Sequence, residues 1–227
     1  MTLVLFDIDG TLISSGRAGV RGMNRSFERE FGVTGALDTV TVAGRTDRAI
    51  VTEILTRAGH VADDSAVARV RDAYCTDLPV ALAEPTSRPM GILPGVVPLL
   101  DHLGTRADVV VGLLTGNFVR GAEIKLGHFG LWTQFRFGAF GDHHTNRRDL
   151  VPVAVDAAVA AGHPRVDLSR VIVIGDTPLD VDCAHAHGAR AIAVATGPFS
   201  RDELAATGAA HVVTTLEELD ADAVLRS

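Results

Sequence analysis

The chain has 227 residues, 47% of them apolar and 22% charged, with a formal net charge of −7. That length accommodates one large domain or a core with an inserted module, and the negative charge argues against general nucleic-acid binding. No apolar run reaches the length of a membrane span and no basic-then-apolar leader precedes the first strand, so no membrane partner is expected and the cytoplasm is the default location.

Leu3 to Ile8 is an apolar run that ends in Asp7, Asp9 and Gly10, the pattern of a buried strand delivering carboxylates to the edge of a sheet. Side-chain alternation starts Asp7 and Asp9 on one face, and Gly10 lets the backbone turn away. Crowded carboxylates call for a cation or a shared proton, so a divalent metal is the natural partner of Asp7, and Asp9 is left to carry a proton. On these residues alone, a calcium-type acidic loop or a pair of turn-capping aspartates stays open.

Three helical patterns follow. Val20, Met23, Phe27 and Phe31 recur at helical spacing and Gly32 closes them. A loop from Val42 to Asp47 leads to a second helix with Ile50, Ile54 and Leu55 on one side, ended by Gly59. A third pattern runs from Asp64 towards Leu82, with an interruption expected at Pro79. Nothing between Gly16 and Glu84 has the character of a strand in a parallel sheet. Residues 16–85 are therefore expected to form an all-helical cap, inserted between hinges at Ser14–Gly16 and Glu84–Gly91, with 1–15 and 86–227 forming the core domain. Two such hinges suggest a lid over the acidic site.

A helix carrying Val97, Leu99, Leu100 and Leu103 precedes the apolar strand Val109–Leu114, which stops at Thr115-Gly116-Asn117. A small hydroxyl donor at a strand end, ahead of a helix N-terminus, makes an anion site, although Thr-Gly-Asn is also an ordinary turn. Lys125, on that next helix, is the sole lysine in a chain otherwise supplied with arginine, which suggests a role needing an ammonium; compositional bias is the alternative. Phe135–Phe140 is the next expected strand. His143 and His144 beyond it point opposite ways on an extended segment and are expected to be loop residues. Cys75 and Cys183 are too few for a disulfide framework or a zinc site and are expected as buried thiols.

After a helix from Leu150 to Ala161, the strand Val171–Ile174 stops at Gly175-Asp176, and Asp180 follows four residues later. Asp176 at the strand end is placed to bind a metal, and Asp180, one helical turn on, can bind directly or through water; its alternative is a structural helix cap. An all-oxygen set suits magnesium. Strand and helix then alternate to the end of the chain, implying right-handed crossovers and a doubly wound parallel α/β sheet.

Three of these segments, in this order and each at the end of an apolar strand, resemble the motifs of the haloacid dehalogenase superfamily, phosphatase branch: Asp7-Ile8-Asp9-Gly10-Thr11, Thr115 after its strand, and Gly175-Asp176 with Asp180. The resemblance covers essentially the whole chain. It implies that Asp7 attacks phosphorus and becomes an aspartyl-phosphate, while Asp9 protonates the leaving oxygen and later activates water. Thr115, with Gly116 and Asn117, would hold phosphoryl oxygens. Magnesium would be held by Asp7, the Asp9 main-chain carbonyl, Asp176 and Asp180. The family also places a basic residue beside the nucleophile; Lys125 is preferred over Arg148, which precedes the Leu150 helix where many relatives carry a lysine. The Gly44–Asp47 loop resembles the substrate-reading cap loop of phosphoglycolate-phosphatase-like members, in which Arg45 would meet a carboxylate or phosphate or else be a solvated arginine. The implied activity is hydrolysis of a small phosphorylated metabolite. A hexose-phosphate mutase would share every catalytic residue. A non-catalytic phosphometabolite-binding protein should have lost one of the acids, and none is missing.

Overall fold

The computed structural model describes residues 1–226. Its centre is a six-stranded, wholly parallel sheet of β1 (Thr2–Phe6), β4 (Val109–Leu114), β5 (Gly138–Ala139), β6 (Val171–Gly175), β7 (Arg190–Val194) and β8 (His211–Val213). The strand order is β5-β4-β1-β6-β7-β8. The chain builds outwards from β1 in one direction through β4 and β5, then returns to the other side of β1 for β6, β7 and β8. The order therefore reverses at β1, which opens a crevice at the carboxyl ends of β1, β4 and β6. This is the doubly wound architecture expected from the alternation of elements.

The apolar runs read as strands because the sheet is covered on both faces. Val4 and Phe6 of β1 pack with Leu99, Leu100 and Leu103 of α4 (Val96–Gly104) and Leu126 of α5 (Val119–His128). Leu3 and Leu5 face the other way, onto Val151, Ala154 and Val155 of α6 (Leu150–Ala160), Val181 of α7 (Pro178–His185) and Leu204 of α8 (Arg201–Ala205). A short helix, α9 (Ala221–Arg226), ends the described chain.

Between β1 and α4 lies a helical module of α1 (Ala18–Phe31), α2 (Asp47–Arg57) and α3 (Asp64–Ala83), with its own core of Phe27, Ile54, Leu55, Val70, Tyr74 and Leu78. Two elements there differ from expectation. The flanking segments are not open hinges but pair as a short antiparallel ribbon, β2 (Ile13–Ser15) with β3 (Met90–Ile92). Strands of three residues are too short for periodicity to reveal. Pro79 does not interrupt α3, which runs through it. The proline is exposed, where a helix gives up a hydrogen bond to water cheaply, while Leu78, Ala81 and Leu82 anchor the turn from the buried side.

Two smaller expectations also change. Only Gly138–Ala139 of the Phe135–Phe140 stretch pairs with β4, because β5 is the sheet edge and both Phe135 and Phe140 turn into the core beneath it. Cys183 is buried, but Cys75 is only partly so.

Candidate active site

Three strand ends supply the site. Asp7 follows β1, its backbone N–H donating to the Ile174 carbonyl of β6 (2.9 Å). Thr115 follows β4, its N–H donating to the Ala139 carbonyl (3.0 Å). Asp176 follows β6 and accepts from the Thr11 hydroxyl (3.3 Å). Glycines make room for it: Gly10, at φ +78°, and Gly197 both press so closely on the Asp176 carboxylate that a Cβ at either position would overlap it.

Asp180, in the first turn of α7, accepts from the Thr177 backbone N–H (3.0 Å) and hydroxyl (2.7 Å). The capping role weighed for it is therefore real, but it uses only Oδ2. Its other oxygen accepts from Arg147, and the residue joins Asp7 and Asp176 in a buried group in which one carboxylate oxygen from each lies within 4.8 Å of the others. Three hard oxygen donors converging in a dry pocket could hold a divalent cation.

The crowding is electrostatically visible. Burial pushes the Asp7 carboxyl up to about 6, against the lowering charge of Arg147 and with help from Asp180. Burial, with Asp180 and Asp7, raises Asp176 well above the usual carboxylate range.

Asp9 does not crowd Asp7, as strand alternation alone implied. The strand ends at Phe6, the chain turns, and the Asp9 carboxylate faces a separate set of donors. Lys125 Nζ lies 2.5 Å from Oδ2, Asn117 Nδ2 donates to the same oxygen (3.1 Å), and the Ser15 hydroxyl donates to Oδ1 (3.2 Å). Desolvation acts to raise the Asp9 pKa, but the Lys125 charge and these hydrogen bonds outweigh it and hold it below the ordinary value. Lys125 also donates to Asn117 Oδ1 (2.6 Å), and the Thr115 hydroxyl accepts from Asn117 Nδ2 (2.8 Å), so Thr115, Asn117, Lys125 and Asp9 form one chain of contacts.

The basic group beside Asp7 is neither of the two residues weighed from sequence. Arg148 points to the surface and forms a bidentate pair with Asp182 (2.6 Å and 2.6 Å), clear of the cavity. Its neighbour Arg147 is buried, 3.1 Å from Asp7 Oδ1 and bonded to Asp180. Arg147 also donates to the carbonyl of Gly44 (3.0 Å), so a single guanidinium touches the acidic cluster and the helical module together.

The Gly44–Asp47 loop lies against the sheet's crevice. Gly44 sits at φ +71° against the Thr177 side chain, and a Cβ on Gly116 would overlap the Arg45 carbonyl. The Asp47 N–H donates to the Gly116 carbonyl (2.7 Å), and its carboxylate accepts from the Phe118 N–H at the start of α5 (2.8 Å). Burial raises that carboxyl to about 6 despite Lys125 nearby. Asp47 is a contact that sequence reading missed. Arg45 lines the cavity, but its guanidinium is held by Glu53 (2.6 Å) and the Thr41 carbonyl (3.1 Å) within the module. The module and the crevice together enclose a cavity of about 580 Å³, lined by Asp7, Asp9, Thr115, Lys125, Arg147 and Asp176 among others.

Residues 4–185 match a family model described as haloacid dehalogenase-like hydrolase. Among curated proteins no relative matches. Among solved structures, the chain is similar to CbbY from Rhodobacter sphaeroides in complex with phosphate, at 18% identity and TM-score 0.73 with 100% of each chain covered. It is also similar to a predicted phosphatase from Clostridium acetobutylicum, at 21% identity and TM-score 0.70, covering 100% of this chain and 99% of the other. A third similar structure is a predicted phosphoglycolate phosphatase from Haemophilus somnus, at 15% identity and TM-score 0.67 with 95% of each chain covered. At these identities the structural neighbours speak for the fold alone.

Proposed function

Because this chain belongs to the haloacid dehalogenase-like hydrolase family, we propose that it hydrolyses a small phosphate monoester through an aspartyl-phosphate on Asp7. The observation that carries this reading is the separation of the acids into two environments. Asp7 stands with Asp176, Asp180 and the Arg147 guanidinium, and Asp9 stands apart with Lys125 and Asn117. One carboxylate is equipped as a nucleophile and the other as a group that exchanges protons.

In the first step an Asp7 oxygen bonds to phosphorus as the bond to the leaving oxygen breaks, and Asp9 gives that oxygen its proton. In the second, Asp9 takes a proton from water as the water oxygen attacks phosphorus, releasing phosphate and restoring Asp7. Asp9 is held ionised by Lys125 in the free site. An entering phosphoryl group draws the ammonium to itself, which frees Asp9 to take up the proton that it later donates. Thr115, Lys125 and Arg147 supply donors for the developing charge on the phosphoryl oxygens. Arg147 retains a buried Nε–H with no acceptor among the described residues.

Asp7, Asp176 and Asp180, with the Asp9 main-chain carbonyl, would hold magnesium, since the donor set is all oxygen and its three carboxylates outnumber the one guanidinium among them. When bound, the ion supplies positive charge against the transferring phosphoryl group. The test is release of inorganic phosphate from an aryl phosphate and a panel of phosphorylated metabolites, with magnesium and with chelator. Turnover that chelator abolishes supports the reading, and no release from any of them overturns it.

A stability measurement checks the metal site without turnover. Asp7 and Asp176 have folded-state pKa values raised above their unfolded ones. Asp7 therefore contributes stability that is complete below about pH 4 and lost as pH rises through about 6, and Asp176 acts in the same direction. Magnesium favours the ionised carboxylates, so the gain in Tm on adding it is expected to be larger at about pH 8 than at about pH 5. An equal gain at both would contradict the assignment.

The basic residues can be ranked by activity. Lys125→Ala removes a buried ammonium from Asp9 and the phosphoryl site and is expected to lower kcat by about 10²-fold or more. Arg148→Ala breaks only an exposed pair and should change it by less than about threefold. The reverse order would return the role to Arg148.

A further inference from the structure

Two arginines in the cavity wall have no counter-charge. Arg17 and Arg88 both line it as exposed residues, and neither guanidinium makes an ion pair or a hydrogen bond among the described residues. The other basic groups of the wall are compensated: Lys125 by Asp9, Arg147 by Asp7 and Asp180, and Arg45 by Glu53. The two unpaired arginines are also neighbours. β2 and β3 pair with Ser15 opposite Met90, and Arg17 and Arg88 each stand two residues beyond that last pair. The intervening Gly16 packs on Thr86, and the Ser14 hydroxyl bonds the Pro89 carbonyl (2.7 Å), which keeps the two segments together past the strand ends.

Arg17 also stands, alone among the described non-glycine residues, at positive φ (+63°), immediately before α1, a backbone conformation that costs a residue with a Cβ. Asp9, Arg17 and Arg88 line the same cavity, so an ester whose leaving oxygen meets Asp9 has both arginines in the wall around its organic remainder.

We propose that Arg17 and Arg88 form a binding site for a second anionic group, a carboxylate or a second phosphate, on the leaving-group portion of the substrate. The preferred substrates are then phosphate monoesters of acidic alcohols. This rests on the phosphatase reading above and adds the chemical class of ester that it acts on. Each guanidinium supplies paired donors of the geometry that carboxylate and phosphate oxygens accept.

The test compares kcat/KM for three esters with magnesium present: a phosphate monoester of a neutral polyol, one of a hydroxy acid, and a diol bisphosphate. The wild-type enzyme is expected to favour at least one anion-bearing ester over the neutral one by tenfold or more, and whichever is favoured identifies the anion. In the Arg17→Gln/Arg88→Gln double variant this ratio should fall towards one, mainly through KM, and Arg17→Lys/Arg88→Lys should restore part of it. Arg17→Gly separates charge from strain, because it relieves the backbone while removing the guanidinium. It should lower the ratio as Arg17→Gln does. A wild-type ratio near one with good turnover of the neutral ester overturns the inference and leaves the phosphatase reading standing, as does a ratio that the double variant leaves unchanged. No turnover of any of the three overturns both.

Discussion

Asp7→Asn is expected to lower kcat by about 10⁴-fold or more, the order seen when the nucleophile of a covalent mechanism is removed. The substitution keeps the shape of the side chain and takes away only the charge that forms the bond to phosphorus. The fold should not suffer. Asp7 is buried with its carboxyl pushed up to about 6, and it faces Asp176 and Asp180, so a neutral amide relieves repulsion in the absence of a cation. The expected result is a protein with unchanged or higher Tm in chelator and almost no turnover. Retained turnover would remove Asp7 from the nucleophile's place.

Arg147→Ala is expected to damage both stability and rate. It leaves Asp7 and Asp180 without their buried cation and the Gly44 carbonyl without its donor. Removing one partner of a buried ion pair costs about 3–5 kcal/mol, because the charges left behind are uncompensated. The rate should fall by about 10³-fold, since the variant also loses donors for the phosphoryl oxygens and the tie between the acidic cluster and the helical module. Arg147→Lys keeps the charge but cannot reach several partners at once as a planar five-donor group does. It should restore most of the stability and only part of the rate. Thermal melts and kcat for the two variants check this, and a fully active Arg147→Ala would contradict it.

The sheet was legible in the sequence because parallel strands covered on both faces read as unbroken apolar runs, and the residues that end β1, β4 and β6 are those that meet in the crevice. Asp7, Thr115 and Asp176 were placed by that rule alone. What escaped depends on short-range geometry. β2 and β3 are three residues each and show no period. Asp9 sits three residues past the end of β1, where alternation no longer applies, so its separate set of partners could not be read.

Arg147 and Arg148 look interchangeable in a list of basic residues: both lie in the 3₁₀ turn ahead of α6, four and three residues before buried Val151, so helix phase does not separate them. Asp47 carried no signal either. Its partners are backbone groups of Gly116 and Phe118, distant in sequence and brought to it only by the docking of the module.

An Asp9→Asn variant gives the most direct access to the chemistry, because the water of the second step then lacks its base and the protein-bound intermediate accumulates. The protein is mixed with magnesium and an aryl phosphate, whose leaving oxygen departs without a proton from Asp9, then quenched in acid, digested, and its peptides weighed. The peptide containing Asp7 should carry one added phosphoryl group, absent when Asp7 is also replaced by Asn. A phosphoryl group on any other residue, or steady phosphate release with no modified peptide, would contradict transfer through Asp7.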